Sequence, residues 1–420
     1  MPKIKSIFAR EILDSRASPT IETTVINDDG SYGTSSVPSG ISVGKYEAIE
    51  LRDKDPKRFG GLGVLTAVQN VNTIIANKIR GYDPVKQQEI DNTMIALDGT
   101  ANKGRLGANA ILSVSQAVCK AAALSVRLPL YTYVNKLAAS YGLPEKISRI
   151  PTPAFNILNG GKHGAGNLDF QEFLVIPSSN QSFPKALELG VAIYNALRDV
   201  LIYRNAIHSI GDEGGFAPNL FTNAEAFEVI MEATKATGAR LGYDVFFGLD
   251  AAASYYKKIG GYQLKDRPQP FTVDQLVDYY KTLVSTYQLL LLEDPFGEDD
   301  WEGWIKLTTQ LSDNLLIFGD DLLATSKDRL GKAILQNAAN AILVKPNQIG
   351  TISETLAIIK QARESSFKVM VSHRSGETND AFIADFAVGV SSDYVKFGAP
   401  ARGERVAKYN RLLEIASRLV

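Results

Sequence analysis

The chain has 420 residues, with 45 Lys plus Arg against 46 Asp plus Glu, so its formal net charge is −1. This balance gives no electrostatic reason to expect a nucleic-acid or membrane partner, and the length exceeds that of one ordinary small domain. Cys119 is the single cysteine, which excludes an intramolecular disulfide and favours a reducing, cytoplasmic location. We expect no signal peptide and no membrane span, because no apolar run is long enough for either.

The first part of the chain predicts strands followed by helices. Residues 20–26 have the composition of a strand, and a turn follows at residues 27–30. Helical apolar spacing then recurs three times, over residues 65–79, 84–97 and 109–124. Strands and helices that do not alternate are typical of an α+β domain, here a three-stranded meander plus helices. Glycine and prolines in residues 142–153 mark its end, so we predict domains over residues 1–140 and 141–420.

The pattern from Pro153 onward is strand, loop and helix, repeated. About 270 residues remain, which is close to the usual length of a TIM-type (β/α)8 barrel. An open doubly wound sheet would also alternate strands and helices. However, no GxGxxG sequence follows a first strand, and reactive residues occur at many strand ends, so we predict the barrel.

Five apolar runs in this second region each lead into a titratable residue. These residues are Asp250, Glu293, Asp320, Lys345 and His373. Buried parallel strands read as short apolar runs, and in a barrel the catalytic groups lie at their carboxyl ends. The spacing therefore predicts that the five residues share one active-site rim.

Asp250, Glu293 and Asp320 are the candidate metal ligands. Magnesium prefers oxygen ligands and often completes its shell with substrate oxygens. The alternative is that these acids cap helices or form structural ion pairs, which suits a lone Asp better than three acids at successive strand ends. Zinc is disfavoured because cysteine and histidine are scarce.

Lys345 and Lys396 each end an apolar run and are candidate bases. A lysine near a metal and in low dielectric loses its proton near neutral pH, which suits general-base catalysis. The alternative is a solvated surface lysine, and it is stronger for Lys396 than for Lys345.

Two of the three histidines lie in unusual loops, and two acids lie nearby in sequence. His163 is in a glycine-dense loop that suits a mobile lid, and His373 precedes Arg374 and Ser375, which suit an anion. The candidate general acids, each with a raised pKa, are Glu172 and Glu213. Glu172 follows Gln171, and Glu213 lies in a Gly-Asp-Glu-Gly-Gly turn. Turn chemistry is the alternative for the second acid. We interpret His208 as structural.

Several long strings closely resemble the enolase family. They are Ala9–Arg16, Gly107–Leu112, Gly211–Pro218, Leu292–Phe296 and Val371–Thr378. The resemblance runs along nearly the whole chain. It implies an α/β fold, with a (β/α)8-like barrel behind an N-terminal α+β domain. It also implies a magnesium-dependent lyase of glycolysis that reversibly dehydrates 2-phosphoglycerate to phosphoenolpyruvate.

The resemblance also implies a role for each matching residue. Lys345 matches the base that takes the C2 proton, and Glu213 matches the acid that protonates the departing hydroxyl, with Glu172 beside it. Lys396 matches a lysine that holds the substrate carboxylate. The other matches are ligands of a tightly held magnesium (Asp250, Glu293, Asp320), substrate-shell residues (His163, Gln171, His373), phosphate contacts (Arg374, Ser375) and a mobile-loop ligand of a second magnesium that arrives with substrate (Ser39).

The chain departs from the family pattern at Ile41 and Val43 in the first mobile loop, at Ala17-Ser18 and at Lys162. None is a catalytic position, but the loop substitutions bear on loop closure. Two alternatives remain: another enzyme of the same superfamily, such as a racemase or cycloisomerase, and a non-catalytic binding module. The first should lack the His373-Arg374-Ser375 string, and the second should have lost a catalytic residue. The resemblance implies a homodimer or higher homo-oligomer. A further binding role outside the cytoplasm is compatible with the sequence.

Overall fold

The computed structural model of the chain describes residues 2–40, 44–147, 149–164 and 166–419. Ile41 and Val43 lie outside these ranges. The strands are β1 Ile4–Leu13, β2 Pro19–Asn27, β3 Tyr32–Ser36, β4 Thr152–Pro153, β5 Phe155–Asn159, β6 Glu172–Pro177, β7 Val245–Asp250, β8 Lys257–Lys258, β9 Gly261–Tyr262, β10 Leu289–Glu293, β11 Leu316–Gly319, β12 Ala341–Val344, β13 Lys368–Ser372 and β14 Tyr394–Lys396.

The α-helices fall into two groups that match the predicted order of elements. Those of the N-terminal part are α1 Leu65–Gln69, α2 Ala76–Ile79, α3 Gln87–Asp98, α4 Ala108–Ser125 and α5 Leu130–Ser140. Those of the second part are α6 Phe183–Tyr203, α7 Asn223–Ala236, α8 Val273–Tyr287, α9 Trp301–Leu311, α10 Lys327–Gln336, α11 Pro346–Ile349, α12 Ile352–Glu364, α13 Phe382–Gly389 and α14 Gly403–Arg418. A π-helical segment, Asn70–Ile75, joins α1 to α2, so the predicted helix over 65–79 is continuous.

The N-terminal sheet is an antiparallel meander in the order β1-β2-β3, as predicted. Helix α4 packs against it and is almost entirely buried, since it is rich in Ala, Val and Leu and its polar residues such as Ser113 are also buried. The contact is close: Thr23 Oγ1 and Ser113 Oγ are 2.6 Å apart. A Cβ on Gly33 would lie 2.3 Å from the carbonyl oxygen of Ala117, so only glycine allows this approach of strand and helix.

The second sheet has nine strands in the order β4-β14-β13-β12-β11-β10-β7-β6-β5. Its two edge strands, β4 and β5, are separated along the chain by Ala154 alone, so the sheet nearly closes into a barrel. The predicted barrel is therefore confirmed. Alternate strand residues such as Leu174, Ile176, Leu291 and Leu343 form a separate buried cluster, as expected for side chains that fill a barrel interior.

The start of the barrel differs from the predicted strand–loop–helix repeat. Strand β6 runs antiparallel to both β5 and β7. Among its described residues, the glycine-dense loop between β5 and β6 contains only a 3-10 turn at Gly161–His163, and both α6 and α7 follow β6. A parallel pair needs a crossover of about a dozen residues, usually a helix. The described residues of this loop contain no crossover helix, since glycine disfavours a helix here, and β6 is antiparallel to β5.

This reversal determines where Gln171 and Glu172 lie. The first residue of an antiparallel strand lies at the edge where the parallel strands end. Glu172 is accordingly in register with Asp250, the last residue of β7.

Polar contacts join the two parts of the chain. The buried Asp91 carboxylate on α3 accepts hydrogen bonds from the Ser353 backbone N–H, at 3.0 Å, and hydroxyl, at 2.7 Å, at the start of α12. Lys103 Nζ is 2.9 Å from Glu354 Oε1. Within the described ranges no single helix has the length and hydropathy of a membrane span. The pair α4 and α5, bent by 107°, passes that test together on length and composition only.

The two tryptophans of α9 provide a test of this packing. Trp304 is fully buried and donates to the Gly297 carbonyl at 3.2 Å, whereas Trp301 is partly exposed beneath Arg329 and Lys332. We expect Trp304→Ala to lower the free energy of unfolding by about 3–5 kcal/mol. We expect Trp301→Ala, the matched control, to cost about 1–2 kcal/mol through lost cation–π contacts. Urea denaturation measures both, and equal losses would contradict the assignment of Trp304 to the core.

Candidate active site

The predicted rim residues meet at one end of the barrel. Asp250 and Glu293 end β7 and β10 and are in register with each other. Lys396 ends β14 in register with Ser372. The remaining rim residues follow directly on β11, β12 and β13; they are Asp320, Lys345 and His373. All of these except Glu293 line one cavity of about 30 Å³ together with Glu172 and Glu213.

Lys396 is the cation around which the carboxylates gather. Its Nζ is 2.8 and 2.7 Å from the two Glu293 oxygens and 3.5 Å from Asp250 Oδ2. It is also 3.0 Å from Glu172 Oε2. Burial lowers the pKa of Lys396, but these carboxylates outweigh burial and raise the pKa well above its ordinary value. Lys396 is therefore a permanent cation in this arrangement, and the surface-lysine alternative is wrong.

Lys345 is mostly buried and contacts Asp320 directly. Its Nζ donates to Asp320 Oδ2, and Gln348 Nε2 donates to Asp320 Oδ1 at 3.0 Å. Burial lowers the pKa of Lys345, but the Asp320 carboxylate outweighs it and the pKa is raised. The pKa of Lys345 is raised because a paired carboxylate favours the charged lysine, and the lowered pKa expected beside a metal stays a prediction. A cation bound to the Asp320 carboxylate would lower the pKa of Lys345.

Glu172 and Glu213 approach each other through His163. His163 Nδ1 is 3.1 Å from Glu172 Oε1 and 3.7 Å from Glu213 Oε1. Both distances are within ion-pair range. Burial lowers the pKa of His163, but Glu213 and Glu172 outweigh it and raise the pKa to about 9. His163 is therefore a cation at neutral pH.

The pKa values of the two glutamates move in opposite directions. Burial and then Glu213 raise the pKa of Glu172, as predicted for a general acid. Burial also raises the pKa of Glu213, but His163 and His373 outweigh it and hold the pKa well below its ordinary value. The raised pKa predicted for Glu213 is therefore wrong in this arrangement.

Hydrogen-bond donors also surround the Glu213 carboxylate. Asn156 Nδ2 donates to its Oε2 at 2.9 Å, and Ser375 Oγ donates to its Oε1 at 2.6 Å. His373 Nε2 lies 3.3 Å from Oε2. Donors around a carboxylate stabilise its charged form. Ser375, predicted to contact phosphate, is thus used here within the acid cluster.

Asp294 is a residue of the site that the sequence analysis missed, although it follows Glu293 directly. One carboxylate oxygen each from Glu293, Asp294 and Asp320 lies within 4.8 Å of the others. Both Asp294 oxygens accept backbone N–H groups, from Asp320 at 3.1 Å and Asp321 at 2.8 Å. Asp294 therefore orients the segment that carries Asp320.

The donor set fits a hard divalent cation. Asp250, Glu293 and Asp320 offer only carboxylate oxygens, which are the ligands that Mg²⁺ prefers. A second close group, His163, Glu172 and Glu213, is a poorer candidate because a protonated histidine has no free ring nitrogen to offer. Gln171 Oε1, a buried oxygen without a hydrogen bond, also faces this region.

Two other predicted residues are held by the N-terminal part of the chain. Arg374 Nη1 donates to Glu47 Oε2 at 2.8 Å and to Asn347 Oδ1 at 3.1 Å. Ser39 Oγ donates to Asp14 Oδ2 at 2.6 Å, and Ser39 pairs with the Gly376 backbone. Ser39 is therefore not among the cavity-lining residues, and its role as a metal ligand stays a prediction.

Further residues of the site gave no sequence signal. Arg405 on α14 is fully buried, yet an arginine near the start of a helix reads as a solvent-facing residue. Gln348 on α11 is uncharged, and nothing in its sequence context indicates a role in the site.

Two other residues discussed in the sequence analysis lie outside the acid cluster. His208 is exposed and outside the cavity. Lys162 lies 3.9 Å above the Tyr255 ring at the cavity mouth.

The raised pKa of His163 predicts a pH-dependent stability. The folded state binds this proton more tightly than the unfolded chain, whose His has a pKa near 6.5. The stabilisation is therefore complete below about pH 6.5 and is lost as pH rises through about 9. Urea denaturation of wild type and His163→Gln should show a stability difference that shrinks from pH 6 to pH 9.5. A constant difference would contradict a protonated His163.

Two family models match the chain. The model of the enolase C-terminal TIM barrel domain matches residues 147–420, and the model of the enolase N-terminal domain matches residues 4–134. The matched barrel contains every cavity residue described above except those contributed by the N-terminal part. Sequence, fold and rim chemistry thus agree, and the chain belongs to the enolase family.

Proposed function

We propose that this protein is a magnesium-dependent enolase that reversibly dehydrates 2-phospho-D-glycerate to phosphoenolpyruvate. The family membership supports an enolase-type dehydratase. The observation that carries the specific reaction is that Lys345 and the Glu172–Glu213 pair face one small cavity whose carboxylates suit a divalent cation. A base, an acid and a charge-stabilising site are the parts that removal of water next to a carboxylate requires.

In this proposal Lys345 removes the proton from C2 of the substrate. Its Nζ is held at Asp320, so it has a defined position at the rim. Bound to Asp250, Glu293 and Asp320, a divalent cation would supply positive charge that stabilises the anion left after proton removal. Lys396 adds a fixed positive charge beside Glu293, which suits contact with the substrate carboxylate.

The carboxyls of Glu213 and Glu172 assist loss of the C3 hydroxyl. They lie together next to His163, and one proton on either carboxyl suffices to protonate a leaving hydroxyl. Glu172 has the raised pKa in the ligand-free arrangement, whereas the family resemblance favours Glu213. Matched glutamine variants of the two residues separate these assignments.

Arg374 and Ser375 would bind the substrate phosphate, with His163, Gln171 and His373 completing the substrate shell. Arg favours bidentate phosphate contact. The guanidinium is paired with Glu47, so an incoming phosphate competes with this carboxylate. A superfamily enzyme that acts on a non-phosphorylated acid would not need Arg374 and Ser375, and glycerate is therefore the control substrate.

The direct test incubates purified protein with 2-phosphoglycerate and magnesium and follows the ultraviolet absorbance of phosphoenolpyruvate.

Activity should depend on magnesium. We expect a chelator to abolish turnover and added magnesium to restore it, because a lysine base alone cannot stabilise the doubly charged anion. Asp320→Asn should lower kcat by roughly 10²-fold or more, since a positioned charge in a closed site is typically worth that much. Asp328→Asn, an exposed acid on the next helix, is the matched control. Full turnover in metal-free buffer would contradict the proposed dependence on magnesium.

The base and the acid should separate by isotope exchange. Lys345→Ala should stop both dehydration and exchange of the C2 proton with solvent. Glu213→Gln should block product formation yet leave some C2 exchange, because the anion at C2 regains a proton before the C3–O bond breaks. Each change should slow dehydration by roughly 10²–10⁴-fold. Loss of deuterium from C2-labelled 2-phosphoglycerate, followed by NMR, measures the exchange.

Two controls complete this experiment. Lys327→Ala removes an exposed lysine of α10 and should leave both rates unchanged. Glu172→Gln, measured in parallel, shows which carboxyl acts on the hydroxyl. If Lys345→Ala still exchanges deuterium at the wild-type rate, Lys345 is not the base and this part of the proposal fails.

A further inference from the structure

Arg405, in the first turn of α14, is a fully buried cation outside the roles proposed above. A buried charge is costly unless it is hydrogen-bonded. The guanidinium donates to three backbone carbonyls: Arg374 at 2.6 Å, Ser375 at 2.5 Å and Asp212 at 3.2 Å. It therefore joins the loop that carries Glu213 to the loop that carries Arg374 and Ser375.

A fourth contact of Arg405 determines the protonation of His373. Arg405 Nη1 lies 2.6 Å from His373 Nδ1. A guanidinium has donors and no acceptor, so Nδ1 must accept this hydrogen bond through its lone pair. The ring is then neutral and carries its proton on Nε2.

That Nε2 proton faces the acid cluster. His373 Nε2 is 3.3 Å from Glu213 Oε2, which also accepts from Asn156. The charged groups that act on His373 are Glu213, Arg405 on α14 and Lys396 on β14. Burial lowers the pKa of His373 to about 3, and Arg405 and Lys396 act in the same direction against Glu213. The pKa of His163, by contrast, is about 9, because its ring faces two glutamates, whereas the His373 ring accepts a hydrogen bond from Arg405.

We propose that Arg405 is a positioning residue that holds His373 as the neutral Nε2–H tautomer and directs that proton at Glu213. The ring can then donate to a carboxylate or to a substrate oxygen at the same place, but it cannot accept a proton at Nδ1. The catalytic consequence rests on the proposed dehydratase function. The tautomer itself does not, because it follows from contacts within the protein.

The wild-type protein provides the first test. The chain has three histidines, so selective ¹⁵N-histidine labelling gives a simple long-range ¹H–¹⁵N spectrum, assigned with His208→Gln and His163→Gln. At pH 7 and without ligand we expect His373 to show a protonated Nε2 and a bare Nδ1. An Nδ1–H tautomer or an imidazolium in wild type would overturn the proposal, whether or not any Arg405 variant folds.

The second test changes the donor. Arg405→Met has similar length and no N–H, so we expect His373 to lose its single tautomer and, next to Glu213, to gain an Nδ1 proton. Arg405→Lys keeps a donor and should retain more of the Nε2–H tautomer than Met does. Arg402→Met is the matched control, because Arg402 directly precedes the same helix and donates to the Gly211 and Ser15 carbonyls but not to His373.

The outcomes separate this proposal from the proposed function. An unchanged His373 tautomer in folded Arg405→Met would show that Arg405 does not determine it. We expect kcat for 2-phosphoglycerate to fall at least tenfold in Arg405→Met, with partial recovery in Arg405→Lys and little change in Arg402→Met. If wild type shows the expected tautomer but no dehydratase activity, the proposed function fails and the tautomer assignment stands.

Discussion

The ion pairs between buried lysines and buried carboxylates are the constraint on which the site depends. Lys396 lies among Glu172, Glu293 and Asp250, and Lys345 contacts Asp320. Each of these carboxylates would be expensive to bury alone. The barrel brings them to one rim, and the two lysines offset the repulsion that results. Removing either lysine would leave uncompensated negative charge in a dry environment.

The same pairs define what a ligand must do. The cavity is small because side chains of opposite charge already contact each other across it. A cation entering the carboxylates competes with Lys345 and Lys396, and an anion entering at Arg374 competes with Glu47. Metal and substrate anion therefore suit the site as a pair, because together they replace the charges that they displace. This is a physical reason why the proposed metal and the proposed anionic substrate would bind here together.

Local partners also give identical side chains different properties. His163 faces two glutamates and is a cation, whereas His373 accepts from Arg405 and is neutral. Glu172 and Glu213 lie within reach of the same histidine, yet their pKa values move apart. Burial and the neighbouring Glu213 raise the pKa of Glu172, whereas His163 and His373 outweigh burial and lower the pKa of Glu213. The N-terminal part takes part through Glu47 and Asp14, which hold Arg374 and Ser39. The site is thus a property of both parts of the chain.

Most of the barrel rim could be predicted from the sequence, because a buried parallel strand is a local apolar run and its carboxyl end is a defined place. Asp250, Glu293, Asp320, Lys345 and His373 follow from that rule alone, and α4 follows from its apolar composition. The N-terminal meander likewise follows from alternating strands and turns.

Other features depended on which segments meet in space. The antiparallel β6 brings Glu172 to the rim from the start of a strand, and the sequence analysis did not predict that reversal. Asp294 acts through the backbone of a neighbouring strand, and Arg405 acts from a helix more than 30 residues beyond His373. The direction of each pKa shift was also undetermined, because a pKa depends on the charges and donors around a group. Residue type and strand ends are thus determined by the sequence itself, whereas protonation states and partners are decided only by the tertiary structure.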